Sequence, residues 1–136
     1  MARVLSCIQP TGAVHLGNYL GALREWVKGQ HKNDVFHGIV DLHALTITET
    51  PGVLGSNSLE LATMLFAVGL DPDVATIFVQ SHVVEHSVLG WIMECTVSYG
   101  ELSRMTQFND KAAKREAAFV SAGLFTYPAL QAADIL

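Results

Sequence analysis

The sequence predicts an α/β fold in which a parallel β-sheet carries helices on both of its faces. Two observations support this prediction: short apolar runs alternate with segments of helical periodicity, and each run is continuous. A continuous apolar run is typical of a strand buried on both faces, whereas a half-exposed strand alternates apolar and polar residues. With 136 residues, the chain suits a single domain with a substantial core.

The first predicted elements form one β-α-β unit. A strand from Arg3 to Ile8, which we expect to be largely buried, leads through a loop into a helix from about Leu16 to Gln30. A second strand, from Val35 to Val40, completes the unit. The apolar residues that share one face of the helix, and that we expect to be buried, are Leu20, Leu23 and Val27.

The remaining elements continue the alternation. Thr50 and Pro51 form an N-cap and N1 pair, which predicts a helix that ends at Gly69. A third strand from Ala75 to Gln80 follows and is rich in β-branched residues. The apolar residues of the predicted helix are Leu54, Leu61, Leu65 and Val68. Later helical segments are predicted near His86 to Cys95, from Tyr99 to Phe108, and from about Ala122.

The last predicted helix runs to the final residue of the chain. Ile135 and Leu136 lie within an apolar helical pattern, and no Gly, Asn or Pro marks a stop. We therefore expect a Rossmann-like sheet that is incomplete at the C-terminus, in a chain truncated from a larger protein. The hydrophobic share of 50% and the low charged share of 15% agree, because surplus apolar surface must be covered by more of the protein or by another subunit.

Charge and cysteine content exclude several classes of protein. A net charge of −5 argues against a dedicated nucleic-acid module, whose surface is normally basic. Cys7 and Cys95 are isolated in sequence, which fits neither a zinc ribbon nor a disulfide framework and favours a reducing, cytoplasmic compartment. No stretch approaches the ~18 apolar residues of a membrane span, so we expect no membrane association.

The segment from Gln9 to Asn18 has the architecture of a phosphate-binding loop. It joins the first strand to the first helix, where backbone N–H groups and the helix dipole attract phosphate. Gly12 and Gly17 allow a tight turn and the close approach of a ligand. His15 and Asn18 add side-chain donors for a transferring phosphoryl group. The spacing matches neither the P-loop nor the dinucleotide motif, so the loop predicts nucleotide chemistry without specifying it further.

Four stretches together resemble one family. They occur in that family's order and span essentially the whole chain: Ile8 to Ala22, Ile39 to Ala44, Gly100 to Phe108, and Tyr127 to Leu136. His15-Leu16-Gly17-Asn18 resembles the HIGH signature of the class I aminoacyl-tRNA synthetases. In this chain the last position of the signature is Asn rather than His. Together with the other three stretches, this Asn makes the sequence resemble the tryptophanyl-tRNA synthetase family in particular.

This resemblance implies an ATP-dependent reaction. The carboxylate of L-tryptophan attacks the α-phosphate of ATP to give tryptophanyl-adenylate and pyrophosphate, and the aminoacyl group then passes to tRNA(Trp). The implied ATP-binding residues are Gln9, Pro10, Thr11, Gly17 and Asn18. The implied catalytic residues, which neutralise phosphate charge beside the Mg²⁺ that accompanies ATP, are His15, Asn18 and Lys111. Lys114 and Arg115 fit a solvated helix face instead, and no protein-held metal is expected.

The last stretch suggests how tryptophan is recognised. On a helix, Tyr127, Gln131 and Asp134 share one face and form a polar stripe, while Ala129, Ala132 and Ala133 permit close packing. An indole N–H only donates and a carboxylate only accepts, and the resemblance implies that Asp134 receives the indole N–H. The other implied tryptophan-binding residues are His43, Tyr127, Gln131 and Gln9. Alternatively, Asp134 pairs within a buried network and His43 is a satisfied core histidine.

The resemblance also implies a homodimer that binds tRNA(Trp) mainly through a C-terminal part absent here. Neither a KMSKS loop nor an anticodon-binding domain has a counterpart in this chain, so alone it should be a poor catalyst. Two residues depart from the family pattern: Cys7 stands where Gly is usual and could crowd the ligand, and Gln131 stands where many members have Met.

Three competing interpretations remain. His82, Glu85 and His86 satisfy the H-x-x-E-H pattern of inverted zinc peptidases, but the pattern begins two residues after a strand rather than inside a long helix. A related HIGH-type nucleotidyltransferase, such as a tyrosyl-tRNA synthetase, would share the loop. A third possibility is a tryptophan-binding or dimerising fragment without turnover.

Overall fold

A computed structural model describes residues 1–47, 52–106 and 121–136. The chain divides into two compact units. The sheet unit comprises Met1–Ala44 and Glu49–His82, and the helical unit comprises Leu45–Thr48 and Val83–Leu136. Within the described ranges, no helix is both long and apolar enough to cross a bilayer.

Three parallel strands form the sheet of the first unit. They are β1 (Arg3–Ile8), β2 (Asp34–Ile39) and β3 (Thr76–Val79), in the order β1-β2-β3. In register, Ile8 lies beside Ile39, and Ile39 lies beside Val79. The predicted parallel α/β sheet is therefore confirmed, and each predicted strand boundary is correct to within one residue.

Burial differs between the central strand and its neighbours. Val35, Ile39 and the flanking Val40 are buried, as continuous apolar runs predict. The prediction that β1 is largely buried was wrong: Arg3 and Val4 are exposed, and the rest of β1 is only half-buried. The reason is position, because β1 forms an edge of the sheet and, among the described residues, has a strand on one side only.

The helix that follows the loop after β1 contains a π-helical segment. It consists of α1 (Leu16–Asn18), a π-helical segment (Tyr19–Leu23) and α2 (Arg24–Gly29). Leu23 is fully buried, but Leu20 is 46% exposed, so the prediction of a buried Leu20 was wrong. Leu20 lies within the π segment, where bonds from i to i+5 replace the 3.6-residue spacing on which the prediction depends.

The second β-α-β connection carries two helices, α3 (Asp41–Ala44) and α4 (Val53–Ala67). Thr50 and Pro51, the predicted start of the second helix, lie outside the described residues. Gly69 follows its end with φ +109°, a left-handed conformation that favours glycine, which confirms the predicted stop. The buried core of the sheet unit consists of Leu23, Trp26, Ile39, Leu61, Leu65 and Leu70.

The helical unit is built on the packing of α5 (Val84–Thr96) against α7 (Ala122–Ile135), with α6 (Tyr99–Ser103) between them in sequence. Of the three alanines expected to permit close packing, Ala129 and Ala133 are buried and Ala132 is half-buried. At Gly90 an added Cβ would lie 3.3 Å from Leu130 Cδ1. The prediction of one helix from Tyr99 to Phe108 was wrong, because the helix ends at Ser103, Arg104 lies in a turn and Met105 is not helical. Phe108 lies outside the described residues.

Candidate functional site

The carboxyl ends of all three strands meet at one edge of the sheet, because the strands are parallel and in register. At this edge β1 leads into the loop from Gln9 to Asn18, and β2 leads into α3. The 3-10 turn Gln80–His82 follows β3. Ligands of open α/β sheets bind outside this edge. The predicted placement of the loop and of Asp41 to His43 at a common edge is confirmed.

His15 holds the start of the first helix through a reciprocal cap. Its Nδ1 accepts hydrogen bonds from the backbone N–H groups of Gly17 (3.1 Å) and Asn18 (3.3 Å). In return, the backbone N–H of His15 donates to Asn18 Oδ1 at 3.1 Å. Because Nδ1 is an acceptor here, the neutral imidazole carries its proton on Nε2. The exposed ring therefore offers one N–H donor that the cap does not use.

Two glycines of the loop are required for different reasons. At Gly17 an added Cβ would lie 2.9 Å from His15 Cε1 and 3.0 Å from Nδ1, so any side chain would displace the capping ring. Gly12 has φ +121° and open space around it, so there the backbone conformation excludes other residues. Gly17 thus serves the cap, and Gly12 serves the turn.

The loop lines a cleft of about 270 Å³. This volume is slightly below the ~300–1,000 Å³ of pockets that enclose a drug-sized ligand. Its lining residues are Ile8, Gln9, Thr11, Gly12, Ala13, Val14, His15 and Asn18. Of the residues expected to bind ATP, Pro10 and Gly17 are not among these lining residues: Pro10 is fully buried, and Gly17 lies against the His15 ring.

Asp41 ties the ends of two strands together. Its Oδ1 accepts from the backbone N–H groups of Leu42 (3.1 Å) and Ser81 (2.9 Å), and its Oδ2 accepts from the Ser81 hydroxyl. Gln80 Oε1 accepts from the same Leu42 N–H at 3.2 Å. The carboxylate is therefore engaged in holding α3 at the sheet edge. His43, the candidate residue on α3, is buried.

The helical unit places Asp134 beside a histidine that sequence reasoning did not assign to it. Asp134 Oδ1 lies 2.9 Å from His86 Nδ1, and the two side chains are only 7% and 13% exposed. A buried carboxylate on this helix is expected to need a partner, and His86 lies in close contact with it.

The other candidates on α7 differ in their surroundings. Tyr127 is half-buried, whereas Gln131 is exposed, so the predicted stripe is not one uniform surface. The helical geometry explains this difference, because at about 100° per residue Gln131 is rotated by about 60° from Asp134. Lys111, together with Lys114 and Arg115, lies outside the described residues.

The H-x-x-E-H pattern is split between two elements. His82 ends the 3-10 turn after β3, while Glu85 and His86 lie in the first turn of α5. His86 is in contact with Asp134. Across residues 1–47, 52–106 and 121–136, no three or more His, Cys, Asp or Glu side chains are grouped to hold a metal ion.

Cys7 is accommodated by the neighbouring strand. It pairs in register with Gly38, where an added Cβ would lie 2.9 Å from Cys7 Sγ and 2.9 Å from Phe78 Cζ. The sulfur thus occupies space over β2 that any residue other than glycine would fill.

Together these features define a class of protein, a Rossmann-like α/β protein with a phosphate-type loop at the carboxyl edge of its sheet. The comparison with known families agrees and is more specific. The sequence model of the tRNA synthetases class I (W and Y) matches residues 1–136, and the chain belongs to this family.

Individual relatives are similar over nearly the whole chain. The tryptophan–tRNA ligase 2 of Streptomyces avermitilis is 58% identical over 135 residues, which cover 98% of this chain and 40% of the relative. The tryptophanyl-tRNA synthetase of Mycoplasma pneumoniae superposes with a TM-score of 0.95 at 42% identity, over 100% of this chain and 41% of that one. The tryptophanyl-tRNA synthetase of Campylobacter jejuni, complexed with ADP and tryptophan, superposes with a TM-score of 0.92 at 40% identity. The superposition covers 98% of this chain and 41% of that one. The chain spans about 40% of the length of the curated relatives it matches.

Proposed function

We propose that this chain is the part of a tryptophan–tRNA ligase that carries its HIGH-type ATP loop and its tryptophan-recognising helix. The 58% identity to a ligase of that name is the observation that supports the proposal most. In the proposed reaction, tryptophan and ATP give tryptophanyl-adenylate and pyrophosphate, and the aminoacyl group then passes to tRNA(Trp). Its catalysis depends mainly on positioning and charge stabilisation.

The sheet unit is proposed to bind the phosphates of ATP. The cleft lies at the start of a helix, where the helix dipole favours anions, and the exposed His15 is among its lining residues. His15 donates its Nε2–H to a phosphate oxygen while Nδ1 remains in the cap. Gln9, Thr11 and Asn18 contribute polar groups to the same cleft. Mg²⁺ enters with ATP as part of the substrate, and Lys111 is proposed as a further phosphate ligand.

The helical unit is proposed to select the amino acid. Asp134 is a buried acceptor, and the indole N–H of tryptophan is a donor without acceptor capacity. A site built for such a donor strongly rejects side chains that lack it, because the acceptor is then left unsatisfied. Tyr127 and Gln131 on α7 are proposed as further tryptophan contacts, and so are His43 and Gln9.

A homodimer is proposed from the outer face of α5. This face carries four apolar side chains at helical spacing, each at least half exposed in the single chain, with Trp91 at 68%: Val84, Val88, Trp91 and Ile92. A contiguous exposed apolar patch marks an interaction surface. Sedimentation of the full-length protein should give a dimeric mass that Trp91→Lys lowers. A monomeric wild-type protein would exclude this part of the proposal.

The proposal includes a cytoplasmic location, where aminoacyl-tRNA is consumed, and binding of tRNA(Trp) mainly outside this chain.

The direct test of the proposed reaction is amino-acid-dependent exchange of pyrophosphate into ATP by the full-length protein. We expect exchange with tryptophan and essentially none with tyrosine. Exchange with tyrosine would favour the tyrosyl-type alternative. Tryptophan binding without exchange would favour the interpretation as a tryptophan-binding protein without turnover.

A further inference from the structure

We propose that His86 is a positioning residue for tryptophan recognition, which fixes the Asp134 carboxylate in the orientation that receives the indole N–H. This inference rests on the proposed function and adds a residue from a second helix to it. The juxtaposition that carries it is the 2.9 Å approach of His86 Nδ1 to Asp134 Oδ1 between α5 and α7.

The pair is built into the packing of the helical unit. α5 and α7 approach closely at Gly90, which lies against Leu130, one turn before Asp134 on α7. His86 lies one turn before Gly90 on α5, so the same close approach brings the imidazole to the carboxylate. Side chains that are 13% and 7% exposed have little water to replace this contact.

The contact has a consequence for charge and orientation. A buried carboxylate without a partner is costly and either takes up a proton or turns toward solvent. A carboxylate offers about four lone-pair sites, so contact with an imidazole at Oδ1 leaves acceptor capacity for another N–H. His86 therefore holds the Asp134 carboxylate in one orientation, in which it can receive the indole N–H.

The experiment compares two variants of the full-length protein, His86→Leu and His86→Asn. Leucine removes every polar group, whereas the asparagine amide provides an N–H donor near the position of Nδ1, the contacting atom. The readouts are the KM for tryptophan and the KM for ATP in pyrophosphate exchange. A third readout is the preference for tryptophan over benzothienylalanine, whose sulfur replaces the ring N–H. Thermal unfolding of both variants measures any effect on stability.

We expect His86→Leu to raise the KM for tryptophan about tenfold and to reduce the preference over benzothienylalanine by a similar factor. The KM for ATP should change less than twofold, and His86→Asn should restore most of the lost preference. If His86→Leu lowers only the Tm and leaves the preference unchanged, the pair is structural and the inference is wrong. A wild-type protein without tryptophan-dependent exchange would instead overturn the proposed function itself.

Discussion

The loop of the sheet unit and the Asp134 pair of the helical unit are organised in opposite ways. His15 and Asn18 hold each other through hydrogen bonds within a single turn, whereas Asp134 depends on His86 from another helix. The loop is therefore determined by a short sequence, and the pair by the packing of two helices. Substitutions in the loop should act locally on the cap and on phosphate. Substitutions at the pair should act on tryptophan.

The largest effect is expected from His15. His15→Asn keeps an N-cap acceptor but removes the Nε2–H donor, whereas His15→Ala removes both. If the donor acts on a phosphate, both variants lower kcat by about 10²- to 10³-fold. Only His15→Ala should also lose about 1 kcal/mol of unfolding free energy. Exchange kinetics and urea denaturation separate the two roles, and a fully active His15→Asn protein would contradict the assignment.

A somewhat smaller effect is expected at Asp134. Asp134→Asn keeps the size of the side chain, but its amide faces the His86 imidazole without a full negative charge. We expect kcat/KM for tryptophan to fall about 10²-fold, because a neutral amide oxygen accepts the indole N–H more weakly than a carboxylate does. The KM for ATP in the same exchange assay is the internal control. An equal rise in both KM values would mean that Asp134 supports the fold rather than tryptophan binding.

Gly17 tests the cap without changing any polar group. Gly17→Ala places a Cβ 2.9 Å from the ring of His15, so the ring must move and the cap is lost. Stability should fall by about 1 kcal/mol, and exchange activity should fall with it. Gly29→Ala in α2, which has open space around the added Cβ, is the matched control and should be neutral or slightly stabilising. Similar unfolding curves for both variants would argue against the cap.

The smallest effect concerns the stability of the sheet unit and its pH dependence. His37 on β2 is buried and stacked on Trp26, with ring centroids 4.1 Å apart. Burial lowers the pKa of His37, and the nearby Ser6 backbone offsets part of this effect. Below the usual His pKa of about 6.5, the unfolded chain thus binds more protons than the folded one. This contribution to stability is complete above about pH 6.5 and is lost as the pH falls toward the lowered pKa.

Urea unfolding measured from pH 7.5 to pH 5 checks this prediction. The loss of unfolding free energy that is attributable to His37 cannot exceed about 1.4 kcal/mol for each pH unit of acidification. His37→Phe keeps an aromatic ring against Trp26 and should remove this part of the pH dependence. If the two proteins show the same slope of unfolding free energy with pH, His37 is not the group responsible.

The features that the sequence predicted well are local or repetitive. The three strands follow from continuous apolar runs, and the stop at Gly69 follows from its left-handed conformation. The edge location of the loop follows from parallel strands alone. The loop itself was recognisable because its cap and its glycines lie within ten residues of sequence.

The features that the sequence did not predict depend on what each residue meets in the fold. Leu20 is exposed because a π turn breaks the helical spacing, and β1 is half-buried because it lies at an edge. Asp41 is engaged with Ser81 from the end of another strand. His86 was noted only as part of a zinc-like pattern, and only the packing of α5 on α7 reveals its contact with Asp134.

The central claim is that the capped loop of the sheet unit serves ATP, whereas the Asp134 pair of the helical unit serves tryptophan. The most direct test measures binding of ATP and of tryptophan separately, by calorimetry, to full-length His15→Asn and Asp134→Asn proteins. We predict a crossed result, in which His15→Asn weakens ATP binding and spares tryptophan, while Asp134→Asn weakens tryptophan binding and spares ATP. Equal weakening of both ligands by either variant would contradict this division.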